Sequence, residues 1–218
     1  MDLALLNYLQ GFLTERRKQL FKQVLAQRTR HFVIAVEDVY QLHNTSAVLR
    51  SCDAFGIQDL HVIEAVNRKR IDREIAMGAQ KWVDVHRHTS TSRCLNHLRE
   101  RGYRIIATSP HKSAYPLKDF DINAKAALFF GRETEGLSSD ILAAADDFIY
   151  IPTQGFTESL NISVSAAIIL QELTRKLKQS EINWNLTAEE SYTIEMAWTR
   201  KMIKDVDRIE ARYKSSSS

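Results

Sequence analysis

Three short segments crowd amides, hydroxyls, carboxylates and arginine into places where a chain needs only a turn. HNTSAVLR (43–50) carries Asn44 and Arg50, GRETEGLS (131–138) brackets Glu133 and Glu135 between glycines, and ESLNIS (158–163) sets Ser159, Asn161 and Ser163 around one leucine. Such residue types bind and orient a polar ligand. Each also has an ordinary reading: Asn44 as the N-cap of a helix, Arg50 as a surface cation, Gly131 and Gly136 as sources of backbone freedom, and Glu133 as a solvated turn residue. The third segment resists that reading most. The apolar helical run that it opens needs a single cap, and the sequence offers several candidates for it.

The elements that must position these residues alternate in kind. FVIAVE (32–37) reads as a strand, Thr45 opens a helix closed by Gly56, and LHVIEA (60–65) is a strand again. KWVDVH (81–86) is expected to be a strand, STSRCLNHLRERG (90–102) a capped helix and YRIIATS (103–109) a buried strand. AALFFG (126–131), a helix from about Ser138 to Ala145, and DFIYIP (147–152) continue the pattern up to the long apolar helix after Asn161. This predicts an α/β fold, a mostly parallel sheet with helices on both faces. Ligands in such folds bind beyond the carboxyl ends of the strands. All three polar segments follow strands, and their joint arrival there favours a site over three unrelated turns.

Composition narrows the classes. A chain of 218 residues with 44% hydrophobic content fits one domain with appendages. The net charge of +3 says little until it is placed. Residues 1–31 are basic, with Arg16, Arg17, Lys18, Lys22, Arg28 and Arg30 against Asp2 and Glu15, whereas 119–158 is acidic. No G-x-G-x-x-G follows the first strand and no G-x-x-x-x-G-K-[ST] occurs, which disfavours NAD enzymes and P-loop NTPases. Cys52 and Cys94 lack metal or redox spacing and read as free thiols, so no zinc site is expected. No run reaches the roughly 18 apolar residues of a membrane span, and the start lacks a signal-peptide pattern. A cytoplasmic protein without a membrane partner is expected.

HNTSAVLRSCDAFG, LFFGRETEGLS and IPTQGFTESLNISVSAAIIL, in that order and spacing, resemble the three motifs of the SpoU/TrmH branch of the SPOUT RNA ribose 2′-O-methyltransferases. The resemblance covers about Phe32 to Lys176, and its third motif is long and specific. Thr153 stands where methionine is more frequent, and Ile162 where valine is. The resemblance implies a deep trefoil knot, formed where the chain after the last strand threads the loop that follows Gly131. Periodicity alone excludes knots by default. It also implies S-adenosylmethionine as cofactor, in a bent pose against Thr108, Ser109, Gly131, Glu133, Ile151, Ser159 and Leu160. Arg50, Asn44, Glu133, Ser159 and Asn161 are the catalytic residues it implies. It further implies a homodimer, for which SVSAAIILQEL offers a broad apolar face. A guanidinium with pKa above ~12 is an awkward base, so Arg50 is expected to orient the ribose hydroxyl and stabilise the developing alkoxide beside an RNA phosphate. Methyl transfer from a sulfonium requires no metal.

Relatives acting on ribosomal RNA often carry a separate N-terminal RNA-binding domain, whereas about thirty residues precede the first strand here. This favours a tRNA enzyme of the TrmH type, which methylates the D-loop guanosine at tRNA position 18. The alternatives are a ribosomal RNA 2′-O-methyltransferase and a non-catalytic RNA-binding knot protein. The expected organisation is a basic helical extension (1–31), the methyltransferase domain (32–179), a basic helical extension (180–214) and a disordered tail (215–218). In the second extension Thr187 caps an amphipathic helix whose apolar positions are Ile194, Trp198, Met202, Val206 and Ile209, expected to pack on the body. Arg16, Arg17, Lys18, Arg50, Arg68, Arg70, Arg175, Arg200, Lys201 and Lys204 are the expected RNA contacts. The ordinary reading of such charges is a solvated face.

Overall fold

The computed structural model describes residues 1–38, 42–64, 72–109, 113–132, 135–156 and 159–216. They form two compact units, Thr29–Trp184 and a second built from both ends of the chain, Met1–Arg28 with Asn185–Ser218.

The terminal unit holds α1 (Leu3–Gln10), α2 (Glu15–Leu25), α8 (Ala188–Met202) and α9 (Val206–Ser216). The central unit holds β1 (Phe32–Glu37), α3 (Leu42–Phe55), β2 (Asp59–Ile63), α4 (Arg73–Ala76), β3 (Asp84–His88), α5 (Thr91–Glu100) and β4 (Arg104–Thr108). It continues with β5 (Tyr115–Pro116), β6 (Ala126–Phe130), α6 (Ser139–Ala144), β7 (Asp147–Tyr150) and α7 (Ile162–Lys178).

The sheet has seven strands in the order β3-β2-β1-β6-β4-β7-β5, and every pairing is parallel. Its central strands β1 and β6 are apolar on both faces because both faces are covered. Phe32, Ile34 and Val36 of β1 and Leu128 and Phe130 of β6 point into a core with Val48, Leu49 and Cys52 of α3 and Ala166, Ile169, Leu170 and Leu173 of α7. The alternate residues Val33, Ala35, Ala127 and Phe129 face Cys94 and Leu98 of α5 and Ile141 of α6. The chain steps outward through β1, β2 and β3, crosses to β4, and later inserts β6 between β1 and β4. That reversal of strand order places the carboxyl ends of β4, β6 and β7 side by side, where an open parallel sheet leaves a crevice.

Two boundaries differ from the sequence pattern by three residues. Helix α3 starts at Leu42, three residues before Thr45, so Asn44 lies inside its first turn instead of capping it. The strand expected at 81–86 occupies Asp84–His88, because Gly78 (φ 89°) turns the chain into a 3₁₀ turn over Ala79–Lys81 first.

In the terminal unit, residues 187–214 do not form one helix. A capping box joins Thr187 and Glu190 at the start of α8. The helix ends at Met202, Asp205 turns left-handed (φ 54°), and α9 follows. The spacing from Ile194 to Ile209 is kept across the break, so periodicity cannot reveal it. Folded back, Ile203, Val206, Ile209 and Tyr213 pack with Leu5, Leu6 and Leu9 of α1 and Met196 of α8. Trp198 is buried against Phe21 of α2, with ring centroids 5.4 Å apart. The guanidinium of Arg28 lies 5.5 Å above the same indole and is buried, which removes it from the basic surface of the N-terminal segment. α9 includes Ser215 and Ser216 of the terminal serine run.

Candidate active site

A cavity of about 950 Å³ opens where β4, β6 and β7 end. Its lining comes from Thr108 and Ser109 at the end of β4, Gly131, Arg132 and Gly136 after β6, Ile151 and Thr153 after β7, and Ser159, Leu160 and Asn161 leading into α7. Its size suits a small-molecule ligand.

The side chains at the rim hold the strand ends in place. Thr108 donates its hydroxyl to the Phe129 carbonyl (2.7 Å), and the Ser109 amide donates to the Ile149 carbonyl (3.1 Å). After β6 the chain doubles back on itself through reciprocal amide bonds between Arg132 and Gly136, both 3.0 Å. Gly131 makes this possible, since a Cβ there would sit 2.2 Å from the Gly136 carbonyl carbon. Asn161 answers the question of the three polar residues. Its Oδ1 caps α7 by accepting from the Ser163 amide (2.8 Å) and hydroxyl (2.6 Å), and its Nδ2 donates to Asn44 Oδ1 on α3 (3.2 Å). One residue therefore caps a helix and ties it to its neighbour, while Ser159 remains exposed at the cavity. Thr153, Ser159 and Leu160 line the cavity with backbone groups that make no hydrogen bond among the described residues. Those free donors and acceptors suit a ligand recognised largely through main chain.

Of the residues singled out from the sequence, the structure gathers Thr108, Ser109, Gly131, Ile151, Ser159, Leu160 and Asn161 around the cavity, with buried Asn44 behind Asn161. Arg50 is exposed and does not line it. Six residues along a helix amount to about 120° around the axis, so Arg50 and Asn44 face different ways. Glu133, Arg68 and Arg70 lie outside the described residues. Arg175 is bound to Glu172 (2.9 Å) and Gln179 (2.8 Å) on its own helix. Arg16 and Lys204 are exposed, Arg17 is half-buried and Lys18 pairs with Glu15 (2.7 Å). Arg200 forms a two-pronged ion pair with Glu210 at 2.6 and 3.0 Å, and Lys201 is exposed.

Two supports had not been singled out. Arg132 bridges Glu135 and the buried Asp38 (3.3 Å), joining the loops after β6 and β1. Glu37, at the end of β1, accepts from the Ser138 amide (2.8 Å), the Ser138 hydroxyl (2.7 Å) and the Thr91 hydroxyl (2.7 Å). The sequence signal was available for Arg132, which sits within GRETEG, but Glu37 reads as the polar end of a strand. Burial pushes the Cys94 thiol up to about 12, so it is no nucleophile.

Residues 31–171 match the model of the SpoU rRNA Methylase family. The chain belongs to that family. It is 34% identical over 205 residues to a tRNA (guanosine(18)-2′-O)-methyltransferase of Borreliella burgdorferi, covering 94% of each chain. The crystal structure of the Aquifex aeolicus TrmH/SpoU tRNA modifying enzyme superposes with a TM-score of 0.79 at 31% identity, over 87% of this chain and 98% of that one. The Streptomyces viridochromogenes SpoU methyltransferase AviRb, in complex with AdoMet, shares the fold at 23% identity and a TM-score of 0.63, over 72% and 65% of the two chains. The SpoU family match spans the cavity loops but stops before the terminal unit, whereas the Borreliella likeness extends beyond it. Among the described residues no helix is long and apolar enough to cross a membrane.

Proposed function

We propose that the protein is a tRNA (guanosine(18)-2′-O)-methyltransferase, with S-adenosylmethionine held in the cavity at the ends of β4, β6 and β7. The observation that carries the substrate is the likeness to the Borreliella enzyme over 94% of both chains, which takes in sequence outside the family core. The cofactor rests on the family and on the main-chain groups of Thr153, Ser159 and Leu160, which make no hydrogen bond among the described residues. S-adenosylmethionine, when bound, supplies an activated methyl group. Gly131 and Ile151 shape its walls, Thr108 and Ser109 close its floor, and Asn161 sets the angle of the last loop.

The protein's own part in the reaction is alignment. A ribose hydroxyl is a weak nucleophile, so holding it in line and stabilising the alkoxide supply most of the acceleration. Arg50, exposed on α3, meets the RNA phosphate and that developing charge, while Asn44 and Asn161 fix α3 against α7. The chain after β7 threads the loop that follows Gly131 as a trefoil knot, a reading that rests on the family. Two copies pair through α7, where Val164 and Ile168, one turn apart, are exposed apolar residues. Exposed Arg16 and Lys204 contact the tRNA backbone, and the enzyme works in the cytoplasm where its substrate is.

A tRNA transcript incubated with protein and labelled S-adenosylmethionine tests the proposal. One ribose methyl at G18, lost in a G18→A transcript, is expected. Labelling of ribosomal RNA alone, or undiminished labelling of the G18→A transcript, would refute it. Sedimentation should give twice the 25.1 kDa chain mass, and a monomer at micromolar concentration removes the dimer.

A further inference from the structure

Away from the cavity, strand register and one helix assemble a second cluster of chemistry-bearing side chains. His61 lies opposite His86 across β2 and β3, and Ile63 opposite His88. α5 covers these strands with Cys94 and His97, three residues apart and so on one side of the helix. His61 Nδ1 and His88 Nε2 are 3.0 Å apart. His61, His88 and Cys94 each present a donor atom within 4.8 Å of the other two. The centre of the His97 ring is 5.6 Å from those of both His61 and His88. Its Nε2 is buried without a hydrogen-bond partner among the described residues. His86 is held from behind by Asp59 (2.7 Å), which Arg30 holds in turn (2.8 Å).

A stack of imidazoles with one N–H···N bond explains the 3.0 Å contact. It leaves the His97 nitrogen orphaned, a state that native interiors avoid, and it gives the thiol no part. A metal ion uses both. We propose that His61 Nδ1, His88 Nε2 and Cys94 Sγ bind a divalent transition metal, Zn²⁺ in particular, with His97 Nε2 as fourth donor. Tetrahedral zinc with N and S ligands needs donors roughly 3.3 to 3.6 Å apart. Among His61, His88 and Cys94 the observed spacings, from 3.0 Å to within 4.8 Å, bracket that range, whereas His97 stands outside that group and its ring has to swing in to complete the set. Two or three imidazoles and a thiolate exclude the oxygen-seeking Mg²⁺ and Ca²⁺. On binding, the Cys94 S–H bond breaks, its proton leaves to solvent and the sulfur–metal bond forms, with no change of oxidation state. The metal joins β3, the terminal strand of the sheet, to β2 and α5. None of these donors lines the cavity, so this site does not depend on the methyltransferase reading.

The test uses the full chain without a histidine tag, stripped with a chelator and titrated with Co²⁺ and then Zn²⁺. One Co²⁺ per chain is expected, with the intense visible bands of tetrahedral cobalt and a near-ultraviolet thiolate-to-metal band, both displaced by Zn²⁺. Cys94→Ser should abolish the thiolate band, and it and His88→Gln should each weaken binding by about tenfold or more. Cys52→Ser should preserve both signals. If circular dichroism shows that Cys94→Ser is unfolded, His88→Gln, on the terminal strand, carries the decision. No Co²⁺ bound at micromolar concentration overturns the proposal. So does a thiolate band that survives in folded Cys94→Ser, or unchanged affinity in His88→Gln.

Discussion

The loops around the cavity and the helical unit built from the chain ends are both polar, yet their polar groups are organised differently. Around the cavity, side chains are spent on the protein itself: Thr108 on Phe129, Asn161 on Ser163 and Asn44, Arg132 on Asp38. Among the described residues, the main chain of Thr153, Ser159 and Leu160 and the exposed Ser159 side chain remain for a ligand. In the terminal unit the main chain is consumed by helices, and what remains are side-chain charges, some committed and some not. Arg200 is locked to Glu210 and Arg28 to Trp198, while Arg16 and Lys204 are exposed. A site that works through backbone depends on steric fit; one that works through surface charge depends on which charges are unspent.

The largest expected effect follows from the steric side. Gly131→Ala puts a carbon where Gly136 backbone already lies, 2.2 Å from its carbonyl carbon. The loop must open, at a cost of about 1–3 kcal/mol. S-adenosylhomocysteine binding, measured by calorimetry, should be lost and methyl transfer should fall about 100-fold. Near-normal binding would mean that the cavity does not rely on that close approach, and the contrast with the terminal unit would weaken.

Asn161→Ala comes next. It removes the cap of α7, worth about 1 kcal/mol, and the bond to Asn44. Methyl transfer should drop at least about tenfold. Asn44→Ala removes only the bond between helices, so a double-mutant cycle in urea should return a coupling of roughly 0.5–1 kcal/mol. Zero coupling would leave Asn161 as a cap and nothing more.

The same contrast explains what the sequence could and could not reveal. The sheet was legible because strands covered on both faces are continuous apolar runs, and the cavity loops because residues 131–136 and 158–163 are contiguous. Asn44 was legible as polar and close to the site, but its partner is 117 residues away. In the terminal unit the break at Asp205 was hidden by unbroken apolar spacing, and the packing of α8 against Leu5, Leu6 and Leu9 joins residues nearly 190 apart. Charges at Arg200 and Lys204 looked alike because a sequence does not show which one Glu210 takes. The His61–His88–Cys94 cluster stayed invisible for the related reason that strand register, which no local spacing encodes, brings its members together.

For the terminal unit, removing residues 182–218 is a poor test of RNA contact, since it uncovers Leu5, Leu6, Leu9 and Phe21. Charge reversal leaves the packing intact. Arg16→Glu with Arg17→Glu should weaken tRNA binding several-fold and flatten its salt dependence, with S-adenosylhomocysteine binding unchanged. Unchanged tRNA affinity would move recognition of the RNA to the cavity loops.

The smallest effect is the most discriminating. Each phosphate contact made by a cation contributes roughly 0.7 to 0.9 to the slope of log affinity against log salt. Lys204 is exposed on the turn between α8 and α9, so Lys204→Gln should reduce the slope by about that amount. Arg200 is two residues from the end of α8, but both prongs of its guanidinium are held by Glu210 at 2.6 and 3.0 Å. Reaching a phosphate would mean leaving a carboxylate that is largely shielded from solvent, its side chain 12% exposed. Arg200→Gln should therefore leave the salt slope within error and act on stability instead, by up to about 1 kcal/mol as expected for a partly exposed pair. Filter binding at several salt concentrations, run in parallel with urea unfolding, separates the two. If Arg200→Gln lowers the slope as much as Lys204→Gln does, the ion pair opens on binding and committed charges in this unit are as available to RNA as exposed ones.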